Sequence, residues 1–173
     1  MHKKEKRCLV VGDAMVGKTT LIKTLLGIPT SERYESTVFL DFYKGRVKVP
    51  RTRESAISDV VRLPVENDDQ IIIVCYSATD RESYINARTF WLPLIKKNHK
   101  RNPILIVATN TESIDSTDSE HVESKDGLST AKLFNVQSFC EFSKTNSPDI
   151  TGILDFITMS FCYNHDKQKI CQR

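Results

Sequence analysis

Short apolar runs alternate with amphipathic stretches along nearly the whole chain. The first run, Cys8-Leu9-Val10-Val11, predicts a strand over Arg7 to Val11, and Thr20-Leu21-Ile22-Lys23-Thr24-Leu25-Leu26 follows with helical spacing. A loop over Ile28 to Ser36 leads into Thr37-Val38-Phe39-Leu40-Asp41-Phe42-Tyr43, which continues through Val47 and Val49. Pro50-Arg51-Thr52-Arg53 reads as a turn, after which a weaker strand, Ser55 to Val61, returns antiparallel. Ile71-Ile72-Ile73-Val74-Cys75-Tyr76 and Ile104-Leu105-Ile106-Val107 are continuous apolar runs, as expected of strands covered on both faces.

Helices separate these runs. Thr79 and Glu82 have capping-box spacing ahead of a helix carrying Tyr84, Phe90-Trp91 and Leu94-Ile95, which Pro93 should kink or shorten. From Thr111 to Asp126 the chain is polar and reads as a loop or insert. A helix near Leu128 to Phe134, a strand near Val136 to Phe142, and a last helix from Ser147 with Pro148 at its first position complete the pattern. That last helix sets Ile150, Ile153, Leu154, Ile157 and Phe161 on one face. Alternating strand and helix argues for an α/β fold with a largely parallel sheet, and no internal repeat interrupts it.

Composition narrows the class. The 173 residues suit one domain that buries about two-thirds of its unfolded surface. A net charge of +3 gives no concentrated basic face, so nucleic acid is not an expected partner. Residues 1–6 form a short basic arm, a solvated lead-in to the first strand. Among the five cysteines, Cys8, Cys75 and Cys140 lie in apolar strand-like runs, and no C-x-x-C or H-E-x-x-H occurs. A reduced, intracellular protein without structural zinc is expected. The four histidines (His2, His99, His121, His165) lack ligand-like spacing and read as solvated surface residues. No apolar run approaches a membrane span in length.

Between the first strand and first helix stands Gly12-Asp13-Ala14-Met15-Val16-Gly17-Lys18-Thr19, followed by Thr20. Glycines at both ends let the backbone curl so that successive N–H groups face one anion, and the helix N-terminus adds its positive dipole end. A lysine at position 18 suits the β- and γ-phosphates of a nucleotide, and the Thr19 hydroxyl suits Mg²⁺.

This phosphate loop, in this order of elements, resembles the Ras-like small GTPases, and the Rho branch most. Tyr34 with Thr37-Val38-Phe39 is similar to the Rho effector region, Trp91-x-Pro93 to its third helix, and Glu141-Phe142-Ser143-Lys144 to its E-x-S-A base loop. The resemblance spans nearly the whole chain. It implies a single G domain over residues 1–173 with a tail over 164–173, built as a P-loop NTPase with a mostly parallel six-stranded sheet flanked by helices. It further implies GTP or GDP with Mg²⁺ as cofactors, and phosphate contacts from Gly12 through Thr20. Thr19 and Thr37 would hold the metal, and Tyr34, Thr37, Val38 and Phe39 would form the switch that effectors read. Asn110, Glu112, Ser143 and Lys144 would meet the base. Effector and regulator proteins of Rho type are the implied partners, with the actin cytoskeleton and cell polarity the family's common outputs. A monomeric, cytoplasmic protein follows from the same resemblance, with peripheral membrane contact left open.

Several family positions are altered. The D-T-A-G-Q second switch is missing: Asp59 holds its first place, but Arg62 and Leu63 stand where the glycine and the catalytic glutamine would be. Leucine cannot orient a water, and Ala14 in place of a glycine crowds the γ-phosphate, so weak or absent hydrolysis is expected and no catalytic residue is assigned. Thr109-Asn110-Thr111-Glu112 replaces (N/T)-K-x-D, lengthening the base-reading carboxylate and losing the lysine stem. The terminal Ile170-Cys171-Gln172-Arg173 is no C-a-a-X box, so prenylation is not expected; palmitoylation of Cys162 or Cys171 stays open. Two readings follow: an atypical Rho-like GTP-binding switch, or a nucleotide-free pseudo-GTPase acting as an interaction module. A hydrolase using Arg62 as a substitute charge and a small-molecule phosphotransferase are more distant.

Overall fold

A computed structural model describes residues 6–29, 44–47, 55–59, 70–115, 120–145 and 150–160. The strands are β1 (Lys6–Val11), β2 (Lys44–Val47), β3 (Ser55–Asp59), β4 (Gln70–Ser77), β5 (Ile104–Thr109) and β6 (Ser138–Glu141). The helices are α1 (Lys18–Leu25), α2 (Arg81–Asn86), α3 (Leu92–Asn98) and α4 (Ser124–Leu133), with a last one, α5, over residues 150–160. The six strands form one sheet in the order β2-β3-β1-β4-β5-β6. Among the described residues only the β2–β3 pair is antiparallel. The α/β fold with a mostly parallel sheet is therefore as the apolar pattern predicts.

Alternation explains how continuous apolar strands are accommodated. Cys8, Val10, Ile71, Ile73, Cys75, Leu105 and Val107 share one core with Leu21 and Ile22 of α1 and Ile153 and Ile157 of α5. Their sequence neighbours Leu9, Val11, Ile72, Val74, Tyr76, Ile104, Ile106 and Ala108 share another with Tyr84, Leu92, Ile95 and Ala131 on the opposite face. A parallel sheet with helices on both faces leaves no strand position for polar side chains, so period-2 alternation disappears from the sequence. Ile150 and Leu154 pack against the first core, as the helical spacing of that face requires.

Three local expectations are corrected. Asp80, not Thr79, caps α2: its carboxylate accepts from the N–H groups of Glu82 at 3.0 Å and Ser83 at 3.2 Å. The Thr79 hydroxyl instead bonds that of Ser77. The helix carrying Pro93 is interrupted ahead of the proline. The chain widens into a π turn over Ala87–Trp91 and resumes as α3 with the proline in its first turn. The α4 helix begins at Ser124, inside the stretch assigned to a loop. His99 is buried at 3% exposure rather than solvated, held at the end of α3 where its N–H reaches the Ile95 carbonyl at 2.7 Å. The expected strand over 37–43, the turn at 50–53, the Ser147–Pro148 helix start, Phe161, His2 and His165 lie outside the described residues.

Register decides what meets at the carboxyl edge of the sheet. β1 pairs with β4 from Arg7↔Gln70 to Val11↔Val74, and β4 with β5 from Ile72↔Ile104 to Ser77↔Thr109. The chain leaving β1 therefore turns over the ends of β4 and β5, the crevice where open α/β sheets bind ligands.

Candidate functional site

The loop from Gly12 to Gly17 is built by steric necessity. Gly12 has φ +148°, and a Cβ there would sit 2.3 Å from the Cys75 carbonyl oxygen. Only glycine lets β1 turn so close to β4. Gly17 has φ +82° and opens α1, and Met15, at φ +63°, also adopts the left-handed region. Val16 is buried beneath the loop, while Ala14 and Met15 are exposed at its crest. This path presents the loop's amides together with the N-terminus of α1, an arrangement that favours an anion.

Lys18 closes the loop. Its ammonium donates to the Gly12 carbonyl at 3.1 Å and to the Asp13 carbonyl. Burial holds its pKa below the usual lysine value, with Cys75 and Asp13 partly opposing that shift. The same burial pushes the Cys75 thiol up to about 12, offset in part by Lys18.

Three residues anchor the loop from outside. The Thr109 hydroxyl, fully buried, donates to the Val16 carbonyl and lies 3.0 Å from that of Tyr76. The Asp13 carboxylate accepts from Asn86 Nδ2 and from Trp91 Nε1, each at 2.7 Å. Sequence reasoning placed Thr109 only within the altered base motif and Trp91 only as a family mark; Asn86 it missed. A polar residue ending an otherwise apolar strand is the signal that could have identified Thr109.

The base-side turns reach the same edge. Asn110, at φ +57°, donates from Nδ2 to the Ser77 hydroxyl at 3.0 Å. Its Oδ1 stands 3.4 Å from where a Cβ on Gly17 would be. The 3₁₀ turn Thr111–Ser113 carries Glu112 into solvent. The Thr111 N–H meets the Phe142 carbonyl at 3.5 Å, joining this turn to the one after β6. There Ser143 is buried and its hydroxyl accepts from the Thr145 N–H at 3.2 Å, while Lys144 is exposed. The structure thus brings Gly12 through Thr20, Asn110, Glu112, Ser143 and Lys144 to one sheet edge. Tyr34, Thr37, Val38, Phe39, Arg62 and Leu63 lie outside the described residues.

A nucleotide's phosphates suit this edge: glycine at position 12 lets the loop lie directly on the Cys75 carbonyl, and Lys18 supplies a cation beside the loop. Mg²⁺ fits as well. Among the described residues no group of three or more His, Cys, Asp or Glu is placed to hold a metal ion. A half-buried Thr19 hydroxyl at the start of α1 is the kind of single ligand that ion takes when phosphate and water supply the rest. No helix among the described residues is long and apolar enough to cross a membrane.

Comparison with known proteins agrees with this geometry. The family model for the Ras family matches residues 7–161. The Rho-related GTP-binding protein RhoH of Mus musculus is 27% identical over 115 residues, 61% of this chain and 60% of that protein. The Rho-related protein racN of Dictyostelium discoideum is 26% identical over 98% of this chain and 81% of its own length. The Rho-related GTP-binding protein RhoV of Homo sapiens is 28% identical over 61% of this chain, but the match spans only 48% of that protein. The chain thus spans 60% of the length of RhoH and 48% of that of RhoV, under two-thirds of each. A phosphate loop at the carboxyl edge of this sheet, and a family match running from the first strand through the last helix, together place the chain in the Ras family as a Rho-like small GTPase.

Proposed function

We propose that the chain is a signalling switch that binds GTP with Mg²⁺ through Gly12 to Thr20 and hydrolyses it weakly or not at all. The loop seated on the Cys75 carbonyl supports this reading, because phosphate recognition rests on backbone amides and one lysine, and Lys18 lies against that loop. That RhoH and RhoV are named GTP-binding proteins supports it. In this reading Thr19 and Thr37 hold the metal, and Tyr34, Thr37, Val38 and Phe39 present the bound state to effectors. Asn110, Glu112, Ser143 and Lys144 flank the base. Slow hydrolysis follows from Leu63, which offers a water no hydrogen bond, and from the Ala14 methyl at the loop crest. The protein acts as a monomer in the cytoplasm, with effector and regulator proteins of Rho type as partners.

Denaturing gently purified protein and identifying the released nucleotide by chromatography tests this directly. GTP near one per chain is the expected result; GDP alone would overturn slow hydrolysis. A second reading, the nucleotide-free interaction module, is favoured by one observation: Glu112 and Lys144 both stand exposed at the base end. Absence of guanine nucleotide, even after incubation with GTP and Mg²⁺, would establish that reading instead.

A further inference from the structure

Asp13 sets a carboxylate beside an anion site, which repels phosphate unless donors engage it. Asn86 and Trp91 do so, one on each oxygen: Nδ2 on Oδ2 and Nε1 on Oδ1, both at 2.7 Å. Their spacing makes this arrangement unusual. Residues five apart on an α-helix point about 140° away from one another, since each residue advances about 100°. Here the π turn Ala87–Trp91 intervenes, with the Leu92 N–H reaching back to the Ala87 carbonyl. The wider i→i+5 winding brings two such positions to within about 50° of each other, on one face. Both side chains can then meet the same carboxylate. The Trp91 ring is steadied edge-on by Phe90, centroids 5.1 Å apart.

We infer that Asn86 and Trp91 are positioning residues of the phosphate loop, delivered by the π turn. They hold the Asp13 side chain on the helix side while its carbonyl meets Lys18, and so set the rate at which nucleotide leaves. This inference rests on the nucleotide-binding reading above. Two hydrogen bonds to a charged acceptor are strong enough to fix the first bend of the loop.

The test uses the full chain loaded with fluorescent mant-GDP and Mg²⁺, with release followed after adding excess GDP. Asn86→Ala and Trp91→Phe should each speed release about tenfold, the loss expected for one charge-assisted bond. Asn86→Asp sets two carboxylates face to face and should speed it further. The exchange Asp13→Asn with Asn86→Asp restores an amide–carboxylate pair and should return release to within about threefold of wild type. A role confined to general stability would lower the unfolding midpoint without rescue by the exchange. If wild type binds no mant-GDP, the nucleotide-binding reading falls and takes this inference with it. If wild type binds but the variants release at its rate, or the exchange does not rescue, the inference alone is overturned. Should Asn86→Asp fail to fold, Trp91→Phe decides, because it keeps an aromatic ring and removes the donor.

Discussion

The phosphate side and the base side of the candidate site share one sheet edge but are built from different materials. The phosphate loop is made of backbone: Gly12 pressed on the Cys75 carbonyl, Val16 held by Thr109, and Lys18 folded onto the carbonyls of Gly12 and Asp13. The base side is made of side chains on two short turns, with Glu112 and Lys144 exposed. Backbone amides survive most substitutions, whereas a base-reading carboxylate depends on its own length and reach. The same chain therefore keeps the glycine and lysine frame of the family's phosphate pattern, altered at Ala14, and departs further from its base pattern at Asn110, Glu112 and Lys144.

Breaking the backbone side should have the largest effect. Gly12→Ala drives a methyl group into the Cys75 carbonyl at a φ that favours glycine. It is expected to abolish mant-GDP binding and to cost about 3 kcal/mol of stability, measured by fluorescence titration and urea unfolding. Near-wild-type binding would refute the steric account. Lys18→Ala comes next. It should weaken nucleotide affinity about 100-fold through loss of charge-assisted bonds, with little change in the unfolding midpoint, as calorimetric titration would show. Thr109→Val keeps the shape and removes the hydroxyl that holds Val16. A loss of about 1–2 kcal/mol in stability is expected, with a smaller loss of affinity.

On the side-chain end, Glu112→Asp should sharpen the contrast. Restoring the shorter carboxylate is expected to raise discrimination of GDP over ADP about fivefold in competition binding, leaving stability unchanged. An equal gain for both nucleotides would show that the turn does not meet the base. The smallest effect concerns pH. The Cys75 thiol, with a folded pKa raised from 9.0 to about 12, keeps its proton in the fold after the unfolded chain has lost it. Its contribution is fully present below pH 9 and lost as pH rises toward about 12. Cys75→Val should shallow the decline in unfolding free energy over that window. An unchanged slope would assign the alkaline loss to other groups.

Much of this was legible in the residues. Apolar runs located β1, β4 and β5 to within two residues at either end, because strands buried on both faces admit nothing else. Helix boundaries were less legible. The α4 start at Ser124 is hidden by polar residues that face solvent, and the Asp80 cap competes with an equally plausible Thr79. Phosphate-loop chemistry was readable because it depends on residues adjacent in the chain. Its external anchors were not, since Asp13 and Trp91 lie 78 positions apart.

By itself the sequence determined the order of elements, the α/β class, the phosphate loop and the membership of the Ras family, all of which rest on local patterns of apolarity, glycine and lysine. Tertiary structure alone decided three things: that Cys75 forms the floor beneath Gly12, that Thr109 ties the end of β5 to Val16, and that a π turn aligns Asn86 with Trp91 on Asp13. Each depends on strand register or helical phase between distant segments. Such relations are set by how two apolar faces pack, and no local pattern in the chain encodes them.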